Sequence, residues 1–166
     1  METVVLVLCW LGVLQSLLLG LYFLSSATRN RSHLFLGIGL LLISVRAAKS
    51  TLFIFTDYTS ELVFNIGFAA HAAIGPTMLF YVWSIRKDAK LRSIDWLHFI
   101  PAVVILLNIS VITLDNFWYK GGYDVLLYYT LSYVGWYSFE FYRNFGSGSL
   151  KTNNSPPWVL MLMGTI

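Results

Sequence analysis

Charge is the scarcest commodity in this sequence. Asp, Glu, Lys and Arg together make up 11% of its 166 residues, against 57% hydrophobic residues. Soluble domains carry nearer 25% charge, so this chain has too little polar side chain to cover a water-facing surface. Cysteine is nearly missing as well. Cys9 is alone, which excludes an internal disulfide and leaves a small hydrophobe inside an apolar run. There is no Ser-His-Asp set, no Gly-rich phosphate loop and no paired carboxylates, so enzymatic chemistry and a bound cofactor are not expected. His71 has no second His or carboxylate at ligand spacing, so no metal is expected either. The net charge is only +3, and the basic residues fall between apolar runs, which argues against nucleic-acid binding by this segment. No Lys or Arg precedes Arg29. The N-terminus therefore lacks the basic start of a signal peptide, and its apolar run is longer than a signal core.

What is present is a series of long apolar runs. A helical crossing needs roughly 20 such residues. The runs predict an all-α, polytopic transmembrane bundle forming one domain over 1–166, with spans at about 4–25, 34–55, 62–85, 96–114 and 123–142. A sixth run opens at Pro156-Pro157-Trp158 and reaches only Ile166, about half a crossing, which is the pattern expected of a fragment of a longer protein. Trp83, Trp96, Trp118, Tyr119 and Trp158 fall near span ends, as interfacial aromatics do. Asn116 to Gly122 reads as a tight turn, and Gly146 to Pro157 as a flexible linker.

Loop charge orients the bundle. Arg29 and Arg31 follow the first span, Arg86, Lys87, Lys90 and Arg92 the third, and Arg143 and Lys151 the fifth. The loop after the second holds Asp57 and Glu61 without a basic residue, and that after the fourth holds Asp115, Lys120 and Asp124. Positive loops stay in the cytoplasm, so the N-terminus is expected on the outer side of the membrane. Asn30-Arg-Ser32 fits a glycosylation pattern but falls in a loop expected to be cytoplasmic.

Charged and polar residues inside the spans are the candidate functional groups. Arg46 and Lys49 share a face of the second span. The plain reading makes Lys49 a snorkelling side chain and Arg46 an interhelix hydrogen-bonder. The sharper reading has both lining an outward-facing pocket for an anionic or polar ligand. His71 in the third span lies at nearly the depth of Arg46, with Asn65 nearer the outside and Asn108 midway along the fourth span. Tyr129, Tyr133 and Tyr137 form one face of the fifth span with Trp136 and Glu140 beside it, and Glu140 is spaced to pair with Arg143. Such a stripe serves packing or forms a binding wall. Gly75-Pro76 is expected to break and kink the third span, because proline cannot donate to the helix ladder; the kink is either a hinge or a packing shape.

Several short motifs carry a family resemblance. The third span holds Gly75-Pro76-Thr-Met-Leu-Phe-Tyr81, a basic loop follows, and Trp96-Leu97-His98-Phe99-Ile100-Pro101 opens the fourth. Together with Arg46-Ala-Ala-Lys49-Ser50, these make the whole chain resemble the N-terminal membrane region of membrane-bound AraC-type transcriptional regulators of the Bacteroidota. The resemblance implies a region of about seven helices followed by a cytoplasmic helix-turn-helix domain, and a role in sensing and signal transmission. The DNA-binding domain itself is not among these residues. The partners implied are the bilayer, a small-molecule ligand and a second copy of the chain, with DNA reached only through the missing domain. Other readings are the sensor region of a histidine kinase, a fragment of a small-solute transporter, or a small structural membrane protein.

Overall fold

The computed structural model describes residues 2–26, 30–56, 60–85, 91–108 and 112–145. The loop residues Arg29, Asp57, Arg86, Lys87 and Lys90, the linker from Gly146 through Lys151, and the sixth run from Pro156 to Ile166 lie outside the described residues. Those described are helical or in turns, with no strand.

Among the described residues, three helices are long and apolar enough to cross a membrane. These are α1 (Glu2–Ser25), α2 (Arg31–Phe55) and α3 (Glu61–Ile85). α2 begins where the Asn30 side chain accepts a hydrogen bond from the Ser32 amide at 3.2 Å, which satisfies one of the donors left open at a helix start. The Asn30-Arg-Ser32 triplet thus acts as a helix cap. At the other end, the Thr56 hydroxyl donates to the Leu52 carbonyl at 2.6 Å.

The helices pair in a constant register. Ser44 donates to the Val13 carbonyl at 3.0 Å, and Gly20 faces Gly37 with each backbone carbonyl close to the other glycine. α1 and α2 therefore run antiparallel, and the two glycines let their backbones approach closely. α2 and α3 are antiparallel too, since Phe35 meets Phe80 and Lys49 meets Gly67. α3 is the centre. About 72% of its apolar window is buried, against 11% for α1. Its core stripe of Phe64, Phe68, Ala69, Ala72 and Ala73 packs with Ala102, Ile105 and Leu126 of the later elements.

The fourth element differs from the expected span 96–114. A 3-10 segment at Ser93–Phe99 leads into α4 (Ile100–Leu107), which ends at Asn108. At the rises of the two helix types the pair extends about 26 Å, short of a 30 Å hydrocarbon core. Leu114 belongs instead to a separate π-helical turn, Leu114–Trp118, capped by the Thr113 hydroxyl accepting from the Asn116 amide. The chain then turns at Gly121, whose φ of 81° suits glycine. The fifth element, α5 (Gly122–Phe145), is long enough to cross, but its twelve tyrosine, serine, threonine and charged positions make it less apolar than α1 to α3. Thus three membrane-length apolar helices are present among the described residues, where the sequence leads one to expect five full spans.

Proline does not interrupt α3. The helix is continuous from Glu61 to Ile85 with Pro76 inside it. Beside it, the buried Thr77 hydroxyl donates to the Ala73 carbonyl at 2.7 Å, the kind of side-chain bond that satisfies backbone acceptors next to a helix proline.

Candidate functional site

Two clusters form on opposite halves of α3. The first lies toward its Glu61 end. Lys49 is 8% exposed, and its stem runs over Gly67, where an added Cβ would stand 2.6 Å from Lys49 Cγ. Its Nζ sits 4.7 Å from the Phe68 ring centroid and 5.6 Å from that of Phe64. Aromatic faces attract a cation in this way and offset part of its desolvation. Phe68 is also tilted against Phe117 and Tyr123. His71, one turn along α3, is buried with its ring edge-on to Tyr123 at 5.9 Å. Arg46 lies on α2 within electrostatic reach of both Lys49 and His71. Unlike them it is exposed, and among the described residues it has no hydrogen-bond or ion-pair partner.

The second cluster lies toward the Ile85 end and centres on His98. Its Nδ1 shares a 2.6 Å hydrogen bond with the Tyr133 hydroxyl, and its backbone carbonyl accepts from the Tyr129 hydroxyl at 3.0 Å. Trp136, Trp83 and Phe80 stand edge-on around the imidazole at 5.5 to 6.5 Å. Trp83 therefore packs inward against this cluster, whereas Trp96 and Tyr119 are exposed. Tyr133 is 5% exposed and presses on the backbone of α3: a Cβ on Gly75 would lie 2.8 Å from Tyr133 Cβ and Cγ.

The structure thus brings Arg46, Lys49 and His71 together, and separately joins Gly75 to Tyr133. It does not bring Asn108 to either cluster. Asn108 is exposed at the end of α4 and bonds its own helix at Val104. Asn65 is fully buried and ties α3 to Ile112, whose carbonyl accepts its side-chain amide at 2.8 Å. Glu140 is buried and paired with Arg143 at 2.6 Å. His98 was not singled out as a candidate from the sequence. Its position in the Trp96-to-Pro101 motif was the available signal. Its partners are 31 and 35 residues away, which no local spacing rule reaches.

The geometry describes an all-α chain with helices of membrane-crossing length that holds basic groups within its apolar bundle. No protein-family model, curated protein or solved structure matches it.

Proposed function

We propose that the chain is the membrane-embedded sensory and signal-transmitting region of a membrane-bound AraC-type transcriptional regulator. In this reading it crosses a bacterial inner membrane five times within the described residues, N-terminus outside, with its basic loops in the cytoplasm. The reversal of direction from each helix to the next supports that path.

One observation carries the functional reading. α3 bears His71 beside Arg46 and Lys49, and one turn later Gly75, against which Tyr133 packs, with Pro76 next to it. Tyr133 in turn holds His98 at the start of the fourth element. A change at Arg46, Lys49 and His71 has a short route, through close-packed atoms, to the cytoplasmic end of the bundle. Gly75-Pro76 is the point where α3 would flex, and a sensor needs such a two-state element.

The gene downstream of codon 166 tests the assignment. A helix-turn-helix domain following a seventh span is expected, and a genuine stop codon would overturn it. In the full-length regulator, Arg46→Ala is expected to shift the dose response of a transcriptional reporter. An unchanged response at normal expression would remove Arg46 from signalling. For topology, a cytoplasm-dependent reporter fused after Lys90 should be active.

A further inference from the structure

Arg46 stands nine residues before the end of α2 at Phe55, about 13 Å along the axis. If α2 crosses the bilayer, as the proposed function holds, its 25 residues exceed the hydrocarbon thickness by a few ångströms at each end. The Arg46 backbone is then about 10 Å inside the apolar layer. A guanidinium at that depth without a carboxylate is costly. Lys49 and His71, the groups within its electrostatic reach, supply no negative charge. Among the described residues no carboxylate pairs with Arg46: Asp95 is bound to Arg92, Glu140 to Arg143, and Asp115 and Asp124 lie around the Gly121 turn.

The approach to Arg46 is apolar. Ile43 and Phe53 lie one turn before and two turns after it on the same face of α2, and both are exposed. A ligand that reaches the guanidinium from this side must travel with an apolar body. The guanidinium fork matches a phosphate or carboxylate in two parallel hydrogen bonds, and Lys49 adds positive charge within electrostatic reach.

We infer that Arg46, backed by Lys49 and His71, binds the oxyanion of an acyl-chain amphiphile that enters from the bilayer and lies along the Ile43–Phe53 face of α2. The oxyanion neutralises the exposed guanidinium, and the acyl chain covers apolar helix surface. This names the ligand class for the sensory reading. It also gives the signal a physical form, since an anion entering this level alters the balance of charge around His71, one turn from Gly75.

The test uses the full chain purified in a neutral detergent. It is equilibrated with phosphatidylglycerol, a long-chain fatty acid and phosphatidylcholine in equal amounts, and the retained amphiphile is quantified by mass spectrometry. Wild type should retain phosphatidylglycerol or the fatty acid over phosphatidylcholine. Retention of the first alone identifies a phosphate headgroup, and of the second alone a carboxylate. Arg46→Gln should reduce that preference about tenfold, the size expected for losing a charge-assisted hydrogen bond. Arg46→Lys should keep part of it, and helical content measured on each variant separates lost binding from lost folding. Arg92→Gln, remote from the cluster, should leave the preference intact. Equal retention of all three amphiphiles, or an equal loss in Arg92→Gln, overturns the site. If binding depends on Arg46 but the reporter of the full-length regulator does not, the site stands and the sensory reading fails. If the reporter depends on Arg46 and amphiphile binding does not, the reverse holds.

Discussion

α1 and α3 have almost the same length and both pass as membrane-crossing helices, yet they occupy opposite places. α1 is rich in leucine and touches the rest of the molecule mainly along α2, with Leu8, Leu11, Leu14 and Leu18 exposed. α3 carries Gly67, Ala69, Ala70, Ala72, Ala73 and Gly75, and meets α2, α4 and α5. The contrast follows from the solvent. Lipid tails are as apolar as leucine, so hydrophobicity does not draw one helix inside. Close packing does, and small residues permit it. In α3 they admit the Lys49 stem at Gly67 and the Tyr133 ring at Gly75.

The sharpest way to break this comparison is to place bulk on α3. Gly75→Leu should destabilise the protein by about 3 kcal/mol, the upper end for overpacking, because Tyr133 already occupies the space. Unfolding of the purified protein in a denaturing-detergent titration measures it, and a loss below about 1 kcal/mol would mean that Tyr133 does not press on α3. Next comes Leu79→Ala. Leu79 is 0% exposed, and the cavity should cost about 2 kcal/mol, the low end for such changes because part of the transfer term vanishes in lipid. Leu18→Ala in α1, where the side chain is 58% exposed, should change little in the same titration. Equal losses at the two leucines would dissolve the distinction between centre and periphery.

A smaller effect is expected from Tyr133→Phe, which removes the bond to His98 but keeps the ring against Gly75. About 0.5–1 kcal/mol should be lost, and the imidazole resonances of His98 should shift in an NMR spectrum. No shift would place His98 away from Tyr133 in solution. The smallest change is Gly12→Ala, since nothing lies within 4 Å of the added Cβ. It should be neutral or stabilise α1 by less than about 1 kcal/mol through helix propensity. Clear destabilisation would show that Gly12 is a packing position.

The first three helices were legible because each is a single long apolar run bounded by polar residues. Their observed limits at Ser25, Phe55 and Ile85 coincide with the ends read from sequence. The fourth was less legible because hydropathy counts apolar residues and does not see how they coil. Val103 to Leu107 and Ile112 to Leu114 look continuous, yet the helix stops at Asn108, whose amide turns back to Val104. At Pro76 the expected break is not seen, since α3 runs as one helix from Glu61 to Ile85. Of the candidate residues, Arg46, Lys49 and His71 were found by a rule that holds within one helix, because charge in an apolar run is conspicuous. Asn108 met that rule and proved to be a helix end.

By itself the sequence determined that this chain is helical and apolar, and that its first three helices are long enough to cross a membrane. Those properties follow from local composition and run length. Only the tertiary structure decided that α3 is the centre, that Tyr133 meets Gly75 and His98, and that Arg46 is exposed while Lys49 is buried. Those outcomes depend on which helix faces which. In an apolar solvent, that choice is made by the fit of side chains far apart in the chain.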